Sequence, residues 1–144
     1  MSYVVDTNIF NDLLDGRILI KDLPNDGSYI ATHVQIDEIN NTKNGERRAQ
    51  LFLMFAKLRP EIVPTESLVW DVSRWDEGKF SDGILYEQLK QELDALNNSK
   101  LNNSKDVLIA EVAIVNGFTL LTADKDLANI MTNNGYKVTY FQKL

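Results

Sequence analysis

The sequence contains no cysteine, and this absence excludes several kinds of chemistry. Without thiols, the chain can form no disulfide, no thiolate nucleophile and no cysteine-based zinc site. Its only histidine is His33, so a mechanism that needs two histidines as general acid and general base is also excluded. We expect His33 to be a helix-start or core residue. Any catalytic chemistry must therefore come mainly from oxygen-bearing side chains.

Long apolar runs and an excess of positive charge are missing too. No apolar segment approaches the roughly 20 residues that cross a membrane, and no basic region precedes an apolar segment near the N-terminus. We therefore expect a soluble, cytoplasmic protein with no membrane contact. The net charge of −6 argues against a generally basic surface that binds nucleic acid. Acids gathered around a divalent cation would still offer a phosphate a local positive charge.

The chain does contain enough apolar residues for one folded domain. With 144 residues and 44% hydrophobic content, it suits a single domain over residues 1–144. Predicted strands alternate with predicted helices, which is typical of an α/β/α sandwich with a mostly parallel central sheet. Strands are predicted at residues 3–5, 28–31, 62–63, 118–122 and 137–141, and helices at 7–15, 33–40, 46–58, 84–96, 105–116 and 127–134.

Two of these strands end in an acid just before a helix. Asp6 follows the first strand, and Asp124 follows the strand that ends at Thr122. An acid in this position is usually a turn or cap residue. However, the carboxyl ends of parallel strands meet at one edge of a sheet, where α/β proteins bind their ligands. We therefore expect Asp6 and Asp124 to lie together in a functional crevice.

A third acid lies on the apolar side of a predicted helix. At 100° per residue, Asp106 falls between Ala110 and Ala113, on the side that should be buried. The simpler interpretation is an acid in the first helical turn that interacts favourably with the helix dipole. The functional interpretation is a carboxylate directed at a cation, because a charge on an apolar face should be paired or bound to metal.

The short helix after Thr32 carries two adjacent acids, Asp37 and Glu38. The helix is too short and too mixed in composition to define a buried face. Either acid could be solvated, as most surface acids are. Periodicity alone therefore leaves the choice between them open.

Four separated segments together resemble the PIN-domain nucleases, and in particular the small single-domain type that includes VapC-like toxins. The segments are Val4–Phe10, Glu38 within its helix, Asp106 with the Val107–Ala110 run, and Leu120–Asp126. The similarity covers nearly the whole chain, but the region from Thr65 to Ser104 departs from the compact toxin pattern. The resemblance implies an acidic quartet of Asp6, Glu38, Asp106 and Asp124, supported by Thr7 or Asn8 and by Thr122, with Asp126 as an auxiliary acid.

The same resemblance implies a function. It indicates an endoribonuclease that hydrolyses RNA phosphodiester bonds with water activated by Mg²⁺ or Mn²⁺, ions that oxygen ligands favour. It also implies a cognate antitoxin as partner, so that the chain would be the toxin of a toxin–antitoxin pair. A homodimer is one possible assembly, and the sequence leaves the oligomeric state open.

Two other interpretations compete with this one. An acid after the first strand could be the covalent nucleophile of a haloacid-dehalogenase-type phosphotransferase, but that chemistry usually needs a second acid two residues later, where this chain has Asn8. Alternatively, the chain could be a non-catalytic PIN-fold binding module. The basic residues Lys43, Arg47 and Arg48 are usually a solvated helix end, but they could contact RNA phosphates or an acidic partner.

Two further features bear on the structure. The predicted helix 84–96 carries an apolar stripe that includes Ile84, Leu89 and Leu96, which should face the core. It is followed by an internal repeat, in which Asn97-Asn98-Ser99-Lys100 is echoed by Asn102-Asn103-Ser104-Lys105. We expect this repeat, which we call the Asn-Ser-Lys repeat, to be a solvated loop.

Overall fold

A computed structural model describes residues 1–67 and 83–142. The stretch Leu68–Trp75, to which the sequence pattern assigns no structure, lies outside the described residues. In the described part, the strands are β1 (Ser2–Val5), β2 (Ser28–Ala31), β3 (Glu61–Ile62), β4 (Thr119–Thr122) and β5 (Val138–Tyr140). The helices are α1 (Thr7–Leu14), α2 (His33–Asn40), α3 (Gly45–Leu58), α4 (Ile84–Asn97), α5 (Asn103–Asn116) and α6 (Lys125–Asn133), with a 3₁₀ turn at Ile20–Asp22.

The helix boundaries follow from residues that satisfy free backbone groups. Asp6, Thr32 and Asp124 each accept a hydrogen bond from the first turn of the helix that they precede. Gln35 completes a capping box at α2 by accepting from the Thr32 backbone N–H. Gly117 ends α5 with a φ of 69°, a left-handed conformation that glycine adopts without steric cost.

The strands that the structure describes form one parallel sheet in the order β3-β2-β1-β4-β5. One apolar cluster lies on the face covered by α1 and α3, and a second lies beneath α4, α5 and α6. The predicted α/β/α sandwich is therefore confirmed. Since all these strands are parallel, their carboxyl ends share one edge, where Val5 and Thr122 end the adjacent strands β1 and β4.

The structure corrects one expectation about the surface. The predicted stripe on α4 is wrong at its ends, because Ile84 is 69% and Leu96 is 52% exposed, whereas Leu89 is fully buried. The helix packs through its middle, with Tyr86 completing its buried side. On α3, Leu51 is buried but Leu53 is 71% exposed. In the described ranges, no helix is long and apolar enough to cross a membrane.

Candidate active site

Asp6 lies where β1 meets α1, and its carboxylate is buried with 1% exposure. Its Oδ1 accepts a hydrogen bond from the Thr7 backbone N–H at 2.8 Å, which caps α1. Its Oδ2 accepts from Thr122 Oγ1 at 2.7 Å and from Asn8 Nδ2 at 3.2 Å. Both carboxylate oxygens are therefore held in place by the loops that follow β1 and β4.

Asn8 connects these two loops directly. Its Oδ1 accepts from the Ala123 backbone N–H at 3.0 Å, while its Nδ2 also reaches Thr122 Oγ1 at 3.4 Å. Thr122 is fully buried, and its hydroxyl also accepts from the Asp124 backbone N–H at 3.0 Å. Asn8 and Thr122 thus contact both Asp6 and each other, and their supporting role stays a prediction.

Asp124 caps α6 with only one of its carboxylate oxygens. Oδ1 accepts from the backbone N–H groups of Asp126 at 3.0 Å and Leu127 at 3.3 Å. Among residues 1–67 and 83–142, no donor is hydrogen-bonded to Oδ2. The carboxylate is partly exposed on the cleft, so it can cap the helix and still offer an oxygen to a ligand.

The structure distinguishes the two adjacent acids of α2. Glu38 lines the cleft, and its Oε1 accepts a hydrogen bond from Thr7 Oγ1 at 2.8 Å. Asp37 instead lies 3.4 Å from Nδ1 of the buried His33. Thr7 therefore supports the site through its hydroxyl group as well as its backbone, because it orients Glu38 toward Asp6.

Asp106 enters the cleft from the first turn of α5. In contrast to Asp6, its carboxylate accepts no hydrogen bond from any residue that the structure describes. Burial and the charges of Asp6, Glu38 and Asp124 raise the pKa of Asp106 to about 9. A carboxyl group in these surroundings holds its proton at neutral pH until a cation offsets the negative charge around it.

The pKa values of Asp6 and Glu38 are raised as well. Burial raises the pKa of Asp6 to about 7; the hydrogen bond from Thr122 opposes this rise, and the charges of Glu38 and Asp124 add to it. Burial also raises the pKa of Glu38, against the Thr7 hydrogen bond and the charge of Lys105. Titratable groups with such strongly perturbed pKa values in one cleft indicate a functional site.

The cleft has a volume of about 590 Å³ and gathers the whole predicted acidic set. Sequence reasoning missed six of its lining residues, which are Asn11, Lys100, Asn102, Asn103, Ala123 and Lys125. Three of them fall in the Asn-Ser-Lys repeat. The repeat itself was a visible signal, but its polar composition suggested only a solvated loop.

The predicted basic cluster lies elsewhere, and two of its members have structural partners. Arg47 forms an ion pair with Asp15 at 2.8 Å and donates to Asn11 Oδ1 at 3.0 Å, which ties α3 to α1. Arg48 donates to the Thr42 carbonyl oxygen at 3.0 Å. Lys43 is exposed. A role for these residues in RNA or partner binding stays a prediction.

The acidic set has the donor chemistry of a Mg²⁺ or Mn²⁺ site. Hard divalent cations prefer carboxylate oxygens. Neighbouring acids help to raise the pKa values of Asp6 and Asp106, which a cation would lower. In the described part of the chain, no three such side chains converge closely enough to hold an ion directly. Mg²⁺ does not need three direct ligands, because it keeps several waters and usually binds one or two carboxylates. The residues therefore fit a partly hydrated ion.

Comparison with known proteins extends this picture. No family model and no curated protein matches the sequence. Among solved structures, VapBC2 from Rickettsia felis, crystallised with a DNA fragment from its promoter, matches at a TM-score of 0.61 and 20% identity, over 99% of this chain and 100% of that one. The chain has the PIN-domain fold.

Two further structures share this PIN-domain fold with the chain. A domain of a functionally unknown protein from Methanocaldococcus jannaschii matches at a TM-score of 0.58 and 16% identity, over 98% of this chain and 91% of that one. VapBC-5 from Mycobacterium tuberculosis, a member of the VapBC family of toxin–antitoxin systems, matches at 0.51 and 18%, over 98% of both chains. The expected PIN fold is thereby confirmed over nearly the whole chain.

Proposed function

We propose that this PIN-fold protein is a metal-dependent endoribonuclease. The observation that carries the proposal is the convergence of four carboxylates from separate elements, Asp6, Glu38, Asp106 and Asp124, on one open cleft. Holding these acids together costs free energy, since burial and mutual repulsion disfavour their charged forms. Such a cost is characteristic of a site built for a cation and the reaction that it supports.

The four acids would share the tasks of binding a cation and directing water. When bound, Mg²⁺ or Mn²⁺ supplies Lewis-acid activation of a water nucleophile and neutralises charge on the phosphate. Asp6 is fixed through both oxygens, so its orientation is preorganised. Asp124 keeps one oxygen for the cleft, and Glu38 is held by Thr7 next to Asp6. Asp106 is positioned to gain from a cation, because burial and neighbouring acids raise its pKa to about 9.

The test is to incubate the purified protein with total RNA, a defined single-stranded RNA and the matching DNA, in Mg²⁺, Mn²⁺ or EDTA. We expect cleavage of RNA that requires metal and leaves 5′-phosphate and 3′-hydroxyl ends, because water rather than the ribose hydroxyl attacks phosphorus. Asp106→Asn serves as the matched inactive control. Cyclic-phosphate ends, or equal cleavage in EDTA, would contradict the proposal.

We further propose that the protein is the toxin of a toxin–antitoxin pair. The support is the likeness of its fold to structures of VapBC toxin–antitoxin systems. Induced expression in a bacterial host should arrest growth, and Asp106→Asn should relieve the arrest. Cells that keep growing at a matched protein level, with full nuclease activity in the lysate, would show that the protein is a nuclease but not a toxin.

A further inference from the structure

The Asn-Ser-Lys repeat forms a built junction between α4 and α5. Asn97 ends α4, Asn103 begins α5, and their side-chain amides bond each other in both directions, at 2.9 and 2.8 Å. Asn103 Nδ2 also donates to Asp94 Oδ1 at 2.6 Å, and Asp94 is ion-paired with Lys90 at 2.8 Å. Because Asn103 is only 1% exposed, this network fixes the start of α5 against the end of α4.

The same junction fixes the backbone of Lys100. The Lys100 N–H donates to Asn97 Oδ1 at 3.4 Å, and its carbonyl accepts from the Asn103 N–H at 3.1 Å. Just before it, Asn98 and Ser99 adopt left-handed conformations, with φ of 60° and 59°, and so reverse the chain. The backbone of Lys100 is thus held through its N–H group by Asn97 and through its carbonyl group by Asn103.

The side chain of Lys100 lines the acidic cleft. In the part of the chain that the structure describes, its ammonium group takes part in no hydrogen bond or ion pair. Lys125 also lines the cleft, where it begins α6 directly after the cap residue Asp124. Arg47 is already paired with Asp15. The charge of Lys100 opposes the rise in the pKa of Asp106, so it acts on the acidic cleft. Its backbone is fixed by the junction, and its ammonium group can meet an incoming anion.

We propose that Lys100 binds a backbone phosphate of the nucleic acid substrate and that the Asn97–Asn103 amide pair positions it for this contact. The inference rests on the proposed nuclease function. A polyanion that approaches four carboxylates meets repulsion at the cleft, and an ammonium group at the rim offsets it. Lysine suits this role because it presents a compact charge with three donors to phosphate oxygens.

The test measures KM and kcat for a labelled single-stranded RNA with Mn²⁺, at salt concentrations from about 50 to 200 mM. Lys100→Ala should raise KM about 3- to 10-fold with little change in kcat, because a contact made equally in substrate and transition state affects binding alone. The slope of log KM against log salt should fall by roughly 0.7 to 1, the value of one phosphate contact. Lys100→Arg should retain most of the binding.

Two controls test whether the change in KM is specific to Lys100 and does not come from loss of any positive charge or from a folding defect. Lys57→Ala removes an exposed lysine outside the cleft and should leave KM and the salt slope unchanged. Asn103→Ala should raise KM in the wild-type background but add little to Lys100→Ala, since a positioning residue acts through the residue that it positions. Additive effects would mean that Asn103 is merely structural.

Three results would overturn the proposal. Lys100→Ala could leave the salt slope unchanged while Lys43→Ala lowers it, which would place the phosphate contact on α3 and its N-terminal loop. Lys100→Ala could leave RNA kinetics intact but weaken binding of a poly-glutamate peptide, which would assign the lysine to an acidic protein partner. A wild-type protein that cleaves no nucleic acid in any metal would remove the proposed nuclease function itself, and the phosphate contact with it.

Discussion

The two halves of the acidic cleft are built in opposite ways. On the sheet side, Asp6 accepts three hydrogen bonds and Asp124 caps a helix, so both acids also stabilise the local backbone. On the helical side, Glu38 has one hydroxyl donor and Asp106 has none among the described residues. The acids on the sheet side therefore serve the local backbone structure as well as the candidate site. Asp106 forms no such hydrogen bond within the part of the chain that the structure describes, and its burial among other acids should lower the stability of the fold.

The largest effect that we expect is loss of turnover on both sides of the cleft. Asp6→Asn and Asp106→Asn should each lower RNA cleavage by about 10²-fold or more, the scale on which enzymes lose electrostatic stabilisation of developing charge. Initial rates with Mn²⁺ and circular dichroism spectra of both variants would measure activity and folding. Undiminished turnover in either folded variant would remove that residue from the site.

Substitutions of the two adjacent acids on α2 should have very different effects on activity. Glu38→Gln should lower activity by about 10²-fold because Glu38 lies on the cleft and bonds Thr7. Asp37→Asn, the matched control one residue away, should change activity less than about twofold, since Asp37 contacts His33 instead. The opposite result would mean that the acidic quartet is assigned one residue out of register on this helix.

Removing metal should weaken the fold. A cation that binds only the native state stabilises it by about 2.7 kcal/mol at a hundred times its dissociation constant. We expect the melting temperature to rise as Mn²⁺ is titrated into protein that has been treated with EDTA. Asp106→Asn should gain less than the wild type from the same titration. An equal gain would mean that the metal binds away from Asp106.

In EDTA, substitutions on the two sides should shift stability in opposite directions. Thr122→Val removes a buried donor to Asp6 Oδ2 and should cost about 1–3 kcal/mol, the usual penalty for leaving a buried polar group without its partner. Asp106→Asn should melt a few degrees higher than the wild type, because it removes a carboxyl group that burial and repulsion disfavour. Thermal and denaturant unfolding of both variants in EDTA would check this. An Asp106→Asn protein that is less stable than the wild type would show that Asp106 does not destabilise the metal-free fold.

A further effect concerns pH. Because the folded-state pKa values of Asp6 and Asp106 lie at about 7 and about 9, the native state binds more protons than the unfolded state, whose carboxyls titrate near pH 3.9. Metal-free stability should therefore be greatest below that value and fall as pH rises toward 9, at up to roughly 1.4 kcal/mol per pH unit for each group. Asp106→Asn should flatten the curve above pH 7. A rise in wild-type stability from pH 6 to 8 in EDTA would contradict these pKa assignments.

The sequence pattern predicts the acids on the sheet side of the site better than those on the helical side. Asp6 and Asp124 could be placed because the ends of parallel strands must meet at one edge, a rule that needs only local pattern. Thr32 predicted the start of α2 for the same local reason. Periodicity could not choose between Asp37 and Glu38, and only the resemblance to PIN domains favoured Glu38.

The features that escaped prediction depend on contacts between elements. Asn103 is polar and part of a loop-like repeat, so nothing local showed that pairing with Asn97 and Asp94 would bury it. Arg47 could be assigned to RNA or a partner from its charge alone, but its contact with Asp15 is set by the packing of α3 on α1. Likewise, the exposure of Ile84 depends on where α4 crosses its neighbours rather than on its helical spacing.

The central place of β1 in the sheet has a consequence for biosynthesis. The strand that carries Asp6 pairs on one side with β2 but on the other with β4, more than a hundred residues later. During translation, at about 5–20 residues per second, that second edge has no partner until Thr119–Thr122 leaves the ribosome. The Asp6–Thr122 bond and the Asp124 position form only then, so the acidic cleft is not assembled before β4 has emerged.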